Sequence, residues 1–314
     1  MSHSEIHVVV AVIINEQGEI LLTQRLPGKH LAGCWEFPGG KVEADESPIA
    51  ALKRELSEEL DIVLVDARPL ISVAHSYPEK KVLLDVWQVS CYTGTPHGNE
   101  GQPLVWVPRT NLHQWALPPA DDAIVAALKL PSYYLITPEP EKLDQFLTRL
   151  EKALLQGVRL VQLRANTLSS QDYYTTAVKV INLCQRYEAK VLLNASIEQA
   201  LSISAGGVHL TSGRLHQLTS RPQQIKWLAA SCHTAADIVH ACKIGVDFIV
   251  LSPVKKTQSH PNAKPIGWSR FKSLVDQSAV PVYALGGLSP DDCEDAWQNG
   301  AQGIAAIRGL WVDQ

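Results

Sequence analysis

One glycine turn and the helix behind it constrain this chain more than any other feature. Gly39-Gly40-Lys41-Val42-Glu43-Ala44-Asp45-Glu46 leads toward Arg54-Glu55-Leu56-Ser57-Glu58-Glu59-Leu60-Asp61-Ile62. A helix is predicted over residues 47–60. Ser47 suits the N-cap and Pro48 the first helical position, while Ile49, Leu52, Leu56 and Leu60 recur at helical spacing and should face a core. Glu55, Glu58 and Glu59 stand at i, i+3 and i+4, on a side that flanks this apolar stripe. Carboxylates so close repel one another unless a cation neutralises them, and hard oxygen donors of this kind suit Mg2+ or Mn2+. Such a cation binds phosphate oxygens and serves water attack on a phosphoanhydride. Three glutamates alone would fit a solvated acidic face, so the wider spacing has to decide.

Composition sets the outer limits. The chain has 314 residues, enough for two ordinary domains, with 46% hydrophobic and 19% charged residues, the balance of a soluble globular protein. A net charge of -4 argues against a general nucleic-acid binder. The first apolar run, Ile6 to Ile14, is too short to span a bilayer and has no basic region before it, so a cytoplasmic location without membrane contact is expected. The six cysteines form no CxxC pair and no zinc-like spacing with the histidines, so free thiols are expected.

The rhythm of the chain changes near Leu130-Pro131, which predicts domains at residues 1–130 and 131–314. In the first part, residues 6–14 and 19–25 read as a hairpin about Gly18, residues 70–76, 81–92 and 104–107 as further strands, and 120–129 as a last helix. This is an α+β unit. In the second part eight apolar runs, from Tyr133–Thr137 to Gly303–Ile307, alternate with stretches such as Glu141–Gln156, Ser169–Tyr187 and Ala235–Lys243 that read as helices. Eight such units predict a (β/α)8 TIM barrel. The connection after the fourth run, around residues 215–224, is short and weakly helical.

The acidic segment resembles the Nudix box: a glycine, five residues, a glutamate, seven residues, then Arg-Glu-apolar-x-Glu-Glu. Gly40, Glu46, Arg54, Glu55, Leu56, Glu58, Glu59 and Ile62 all match, whereas Asp61 stands where the family usually has glycine. Over residues 5–130 the likeness is greatest to the MutT type, hydrolases of oxidised guanine nucleotides that protect DNA replication and repair. It implies a mixed-sheet Nudix fold with Mg2+ held by Gly39, Glu55, Glu58, Glu59 and, from a later loop, Glu100. Glu55 and Glu100 are both candidates for the general base, and Glu46 should pair with Arg54. Arg25 and His30 align with phosphate-side and sugar-side residues, and Glu36-Phe37-Pro38-Gly39 with the base-contacting stretch. Lys80 stands where arginine is usual, and Asp121 where the bacterial type reads the oxidised base with asparagine. A carboxylate only accepts hydrogen bonds unless protonated, so Asp121 either serves as the neutral acid or is an N-cap for the last helix.

The second part is similar to thiamine phosphate synthase and to TenI-type thiazole tautomerase over residues 132–312. The likeness rests on Tyr134-Leu135-Ile136-Thr137, Val161-Gln162-Leu163-Arg164, Asn194, Gly207-Val208-His209-Leu210, Ser231-Cys232-His233-Thr234, Ser252-Pro253 with Thr257-Gln258-Ser259, and Ala284-Leu285-Gly286-Gly287. It implies a phosphate pocket at Gly286, Gly287 and Arg308, and a phosphorylated thiazole or pyrimidine ligand. Synthase chemistry in that family needs two aspartates for Mg2+ and two lysines. Here those places hold Ala195, Arg214, Asn166 and His260, so loss of synthase activity is expected.

Three functions are open at this stage. The first is hydrolysis of 8-oxo-dGTP to 8-oxo-dGMP and pyrophosphate. The second is hydrolysis of thiamine-pathway diphosphates, and the third a synthase or tautomerase activity in the barrel. A purely ligand-sensing barrel is a fourth reading.

Overall fold

The computed structural model describes residues 5–77, 79–257 and 263–311 and divides into two compact units, Met1–Lys129 and Leu130–Gln314. Strands β1 (Glu5–Ile13), β2 (Glu19–Gln24), β3 (Trp35–Glu36) and β4 (Gly39–Lys41) precede helix α1 (Pro48–Leu60). Then come β5 (Val63–Ser76), β6 (Lys81–Thr93), β7 (Leu104–Pro108) and α2 (Asp122–Leu128). Two sheets result, one in the order β4-β1-β6-β5 and the other β3-β2-β7.

The expected hairpin of the first two strands does not form. β1 lies parallel to β6, with Val8 opposite Leu84, and antiparallel to β4, whereas β2 pairs with β3 and β7. Only an isolated bridge, Ile14 to Ile20, joins the two strands beyond the Gly18 turn. The reason is burial on both faces: Val9, Ala11 and Ile13 pack on α1, while Val10 and Val12 pack on the α2 side. A strand sandwiched in this way sits inside a sheet and takes partners on both edges. β5 begins seven residues earlier than the sequence pattern suggests, since 63 precedes 70. Its first half carries register shifts between Leu64 and Asp66, Asp66 and Ala67, and Pro69 and Ile71, which break the alternation a strand is recognised by. Pro69 is accommodated because β5 is the edge strand.

Helix α1 forms where its signals place it. Ser47 accepts the Ala50 N–H and proline occupies the first turn. Leu52, Leu56 and Leu60 are fully buried, with Ile49 partly buried beside them. At the far end Asp61 is left-handed, φ 53° and ψ 38°, and its N–H reaches Leu56 O and Ser57 O. That conformation accounts for glycine being usual there, and aspartate is among the few side chains that tolerate it.

The second unit is a closed barrel of parallel strands: β8 (Tyr133–Ile136), β9 (Leu160–Leu163), β10 (Lys190–Leu193), β11 (Gly207–Leu210), β12 (Trp227–Cys232), β13 (Phe248–Leu251), β14 (Val282–Leu285) and β15 (Gly303–Ala306). Its helices are α3 (Leu143–Leu155), α4 (Ser170–Arg186), α5 (Ile197–Ser202), α6 (Ser212–His216), α7 (Ala235–Ile244), α8 (Gly267–Val275) and α9 (Cys293–Gln298). The connection after the fourth strand holds only the five-residue α6, which overlaps the expected residues 215–224 at Leu215 and His216 alone. Tyr134, Phe248, Tyr283 and Leu192 fill the barrel interior, and Leu150, Ala177, Ile238 and Phe271 belong to the cluster that packs the helices on the strands. All six cysteines are free, and no helix of the described residues is long and apolar enough to cross a membrane.

Candidate active site and barrel pocket

In the first unit the turn at β4 meets the acidic side of α1. Gly39 adopts φ +145°, and a Cβ there would stand 2.1 Å from Val9 O, so only glycine fits against β1. A Cβ on Gly40 would meet the Glu55 carboxylate at 2.2 Å, so the missing side chain makes the space that carboxylate fills. Glu59 Oε2 accepts the Gly39 N–H at 3.3 Å. Burial pushes the Glu59 carboxyl up to about 7. The Gly39 N–H opposes this, and the charges of Glu55, Glu100 and Glu36 reinforce it. A buried acid raised partly by neighbouring acids is the environment a cation would relieve.

Arg54 organises the helix. It donates to both Glu46 oxygens, at 3.1 and 2.8 Å, to Glu55 at 2.8 Å, to Glu58 at 3.2 Å and to Lys41 O at 3.0 Å. The expected Glu46–Arg54 pair is present and ties the loop before α1 to the helix.

Glu55, Glu59, Gly39 and Glu100 line one cavity of about 370 Å³, together with Arg25, His30, Glu36, Phe37, Lys80 and Asp121. Glu58 is not among the lining residues, and its side chain is 62% exposed beside Arg54. Pro38 is likewise off the wall, and its carbonyl accepts the Ala11 N–H at 2.7 Å. Among the described residues no three acidic, histidine or cysteine side chains already stand as a closed metal cage. The donor set still fits a hard divalent cation, because Glu55 and Glu59 are largely buried carboxylates and the repulsion on Glu59 is partly uncompensated.

Arg25 is engaged within the protein. It donates to Glu36 at 2.6 Å and to His30 O at 2.7 Å, and it partly offsets the rise that burial imposes on the Glu36 carboxyl. Asp121 is 6% exposed and makes no cap bond to α2, so the N-cap reading fails. Its Oδ2 has no hydrogen-bond partner, and burial, helped by Glu36, pushes its carboxyl up to about 7. Lys29 and Tyr77 are among the cavity residues that escaped the sequence reading. Lys29 bonds Glu100 at 2.9 Å, and Tyr77 stacks edge-on against His30 and lies under Lys80. Lys29 neighbours His30 in the chain, the one signal that pointed to it.

In the barrel, a cavity of about 760 Å³ opens at the strand C-termini. Gln162, Arg164, Asn194, His209, Ser231, His233, Gly286, Gly287 and Arg308 line it, so the sequence-predicted phosphate residues come together. Gly287 has φ +66°, and a Cβ would lie 2.3 Å from Lys256 O. The buried His209 is held neutral, its pKa lowered by burial to about 3, with Tyr134 Oη 3.0 Å from Nδ1 and Ser231 Oγ 2.9 Å from Nε2. His260, with Gln258 and Ser259, lies outside the described residues.

A mixed-sheet unit with a glycine–glutamate turn, joined to a closed eight-stranded barrel, defines a two-part phosphate-handling chain. A NUDIX domain family model matches residues 9–127, and a thiamine monophosphate synthase family model matches residues 133–310. The chain therefore belongs to the Nudix family through its first unit and to the thiamine monophosphate synthase/TenI family through its second. An 8-oxo-dGTP diphosphatase of Haemophilus influenzae is 41% identical over 128 residues, 41% of this chain and 94% of that protein. A protein of Aquifex aeolicus, provisionally named thiamine-phosphate synthase 2, is 38% identical over 181 residues, 57% of this chain and 97% of its own length. A solved MutT structure, from work on Aliivibrio salmonicida and Vibrio cholerae, is 36% identical with a TM-score of 0.36, covering 40% of this chain and 97% of its own.

Proposed function

We propose that residues 1–130 hydrolyse oxidised nucleoside triphosphates, 8-oxo-dGTP above all, to the monophosphate and pyrophosphate. The observation that carries this reading is the placement of Glu55 and Glu59 against the Gly39-Gly40 turn, in one cavity with Glu100. Glu55, Glu58, Glu59, Glu100 and the Gly39 carbonyl would hold Mg2+, or Mn2+ in its place. Glu58 would join them by rotating from its exposed position beside Arg54. The bound cation would supply charge neutralisation for the phosphate chain and a more acidic water.

The protein's own residues supply the rest. Arg54 fixes Glu55 by a charge-assisted bond, so the carboxylate faces the cavity without reorganising. Glu55 and Glu100 are the two candidates for accepting the proton of the attacking water. Lys29, 2.9 Å from Glu100, offers a cation to the phosphate end. His30, Tyr77 and Lys80 form the sugar and base wall. Asp121, protonated at pH values below about 7, would then present one O–H donor and one acceptor, the pair an asparagine amide presents.

For residues 131–314 we infer a phosphorylated thiazole or pyrimidine ligand, with its phosphate at Gly286, Gly287 and Arg308, and no synthase turnover. Ala195 and Arg214 leave no carboxylate pair for a cation, which supports this reading. A cytoplasmic location fits both ligand classes.

The test is an initial-rate panel on the intact protein in Mg2+, comparing 8-oxo-dGTP, dGTP and diphosphates of the pyrimidine and of thiamine. Preference for 8-oxo-dGTP supports the reading. Faster turnover of the thiamine-pathway diphosphates would replace it with the second one. Coupling of a pyrimidine diphosphate to a thiazole phosphate would refute the inactive barrel.

A further inference from the structure

The loop between β6 and β7, residues 94–103, closes the far end of α1 and carries Glu100 into the first unit's cavity. A helix ends in carbonyls that have no partner within it. Here the loop supplies the partners. His97 N–H donates to Leu60 O at 3.1 Å, Asn99 N–H to Glu59 O at 3.0 Å and Asn99 Nδ2 to Glu58 O at 3.1 Å. At the loop's exit Gln24 N–H donates to Pro103 O at 3.0 Å, which ties it to β2. The loop is therefore seated on the same helix that carries Glu55, Glu58 and Glu59.

Gln102 adds a tie of a different kind. Its side chain is buried, and both of its polar atoms are used. Nε2 donates to Glu59 O at 2.8 Å, and Oε1 accepts the Glu100 N–H at 2.9 Å. One amide thus joins the backbones of two cavity acids, while Gln102 itself is not among the residues lining the cavity. Gly98 makes room for it, since a Cβ there would stand 2.1 Å from Gln102 O and 3.1 Å from Gln102 Oε1. The two acids need this tie unequally. Glu59 has a helical backbone, and its carboxylate accepts the Gly39 N–H. Glu100 hangs from a loop, with a side chain 47% exposed and Lys29 as its partner. A small hard cation demands near-ideal geometry of its oxygens, so a ligand on a loop serves only if its backbone is fixed.

We propose that Gln102 is a positioning residue for the cation of the first unit. Its amide carries the fixed place of α1 over to Glu100 and holds that carboxylate at the cavity shared with Glu55 and Glu59. A group that orients a ligand without touching the metal or the substrate acts in this way. The inference rests on the reading of these carboxylates as cation ligands.

Titration of Mn2+ into the full chain without nucleotide, followed by electron paramagnetic resonance, tests this. Gln102→Met, close in volume but without either hydrogen bond, should weaken Mn2+ binding about tenfold or more. Gln102→Asn keeps the amide but is too short to span both backbones, and should lose several-fold. Thermal unfolding in EDTA identifies a variant that fails to fold, and Gln102→Asn decides if Gln102→Met does so. Asn99→Ala removes a hydrogen bond from the same helix end without touching Glu100, and should leave Mn2+ affinity within about twofold. In a Glu100→Gln background, adding Gln102→Met should also change affinity less than about twofold, because the group it acts through is gone. Hydrolysis by Gln102→Met should recover as Mg2+ is raised. Wild-type affinity in both Gln102 variants, a loss in Asn99→Ala equal to theirs, or an undiminished loss in the Glu100→Gln background would each overturn the proposal and leave the hydrolase reading standing. A wild-type chain that binds no Mn2+ would overturn both.

Discussion

Replacing Asp121 by asparagine should stabilise the protein, and the gain should grow with pH. The carboxyl is almost fully buried, one oxygen has no partner, and its pKa is raised by burial from 3.8 to about 7. An acid whose folded pKa lies above its unfolded value holds its proton more tightly in the native state. Below pH 4 it is protonated in both states and costs nothing. Between pH 4 and 7 the unfolded chain ionises while the folded one resists, so stability falls as pH rises. At about 1.4 kcal/mol per pH unit, the full window amounts to at most about 4 kcal/mol. Arg25 opposes the rise and Glu36 and Asp122 reinforce it, with Tyr77 also nearby, so part of the window belongs to the group rather than to Asp121 alone. Asparagine has no proton to lose. Urea unfolding at pH 5 and pH 8 should show a variant-minus-wild-type difference larger at pH 8 by about 1–3 kcal/mol. Turnover of the variant relative to wild type should rise over the same interval, because the wild-type acid stops donating. A difference independent of pH would refute the neutral buried acid.

Two further substitutions probe the turn and the helix. Asp61→Gly removes a side chain from a left-handed cap and should add about 0.5–1 kcal/mol of stability, read by urea midpoint, with the rate unaltered. Its contact with His97, 3.9 Å on the surface, is too exposed to offset this. Gly40→Ala places a Cβ against the Glu55 carboxylate and should reduce kcat at least about tenfold in a chain that still folds.

The parts of this molecule legible in its sequence are those set by local rules. Ser47, Pro48 and the leucine stripe placed α1 within a residue, and the Arg54–Glu46 pair was implied by the resemblance to the Nudix box. The eight barrel strands were legible because each apolar run is bounded by turn residues. Pairing between distant segments was not. Nothing local tells that β1 takes β6 as its neighbour, and the bulges of β5 erased its alternation. Within the cavity, the resemblance put Arg25 on the phosphate side, and the fold adds that its guanidinium donates to Glu36 and His30 O.

The central claim concerns the acid cluster at the Gly39-Gly40 turn, and one comparison tests it most directly. Hydrolysis of 8-oxo-dGTP in Mg2+ is measured for the intact protein and for the double variant Glu55→Gln with Glu59→Gln. The account predicts a loss of at least about a hundredfold in kcat, with thermal unfolding of the variant no lower than wild type because a buried repulsion has been relieved. Turnover retained by that variant would contradict it.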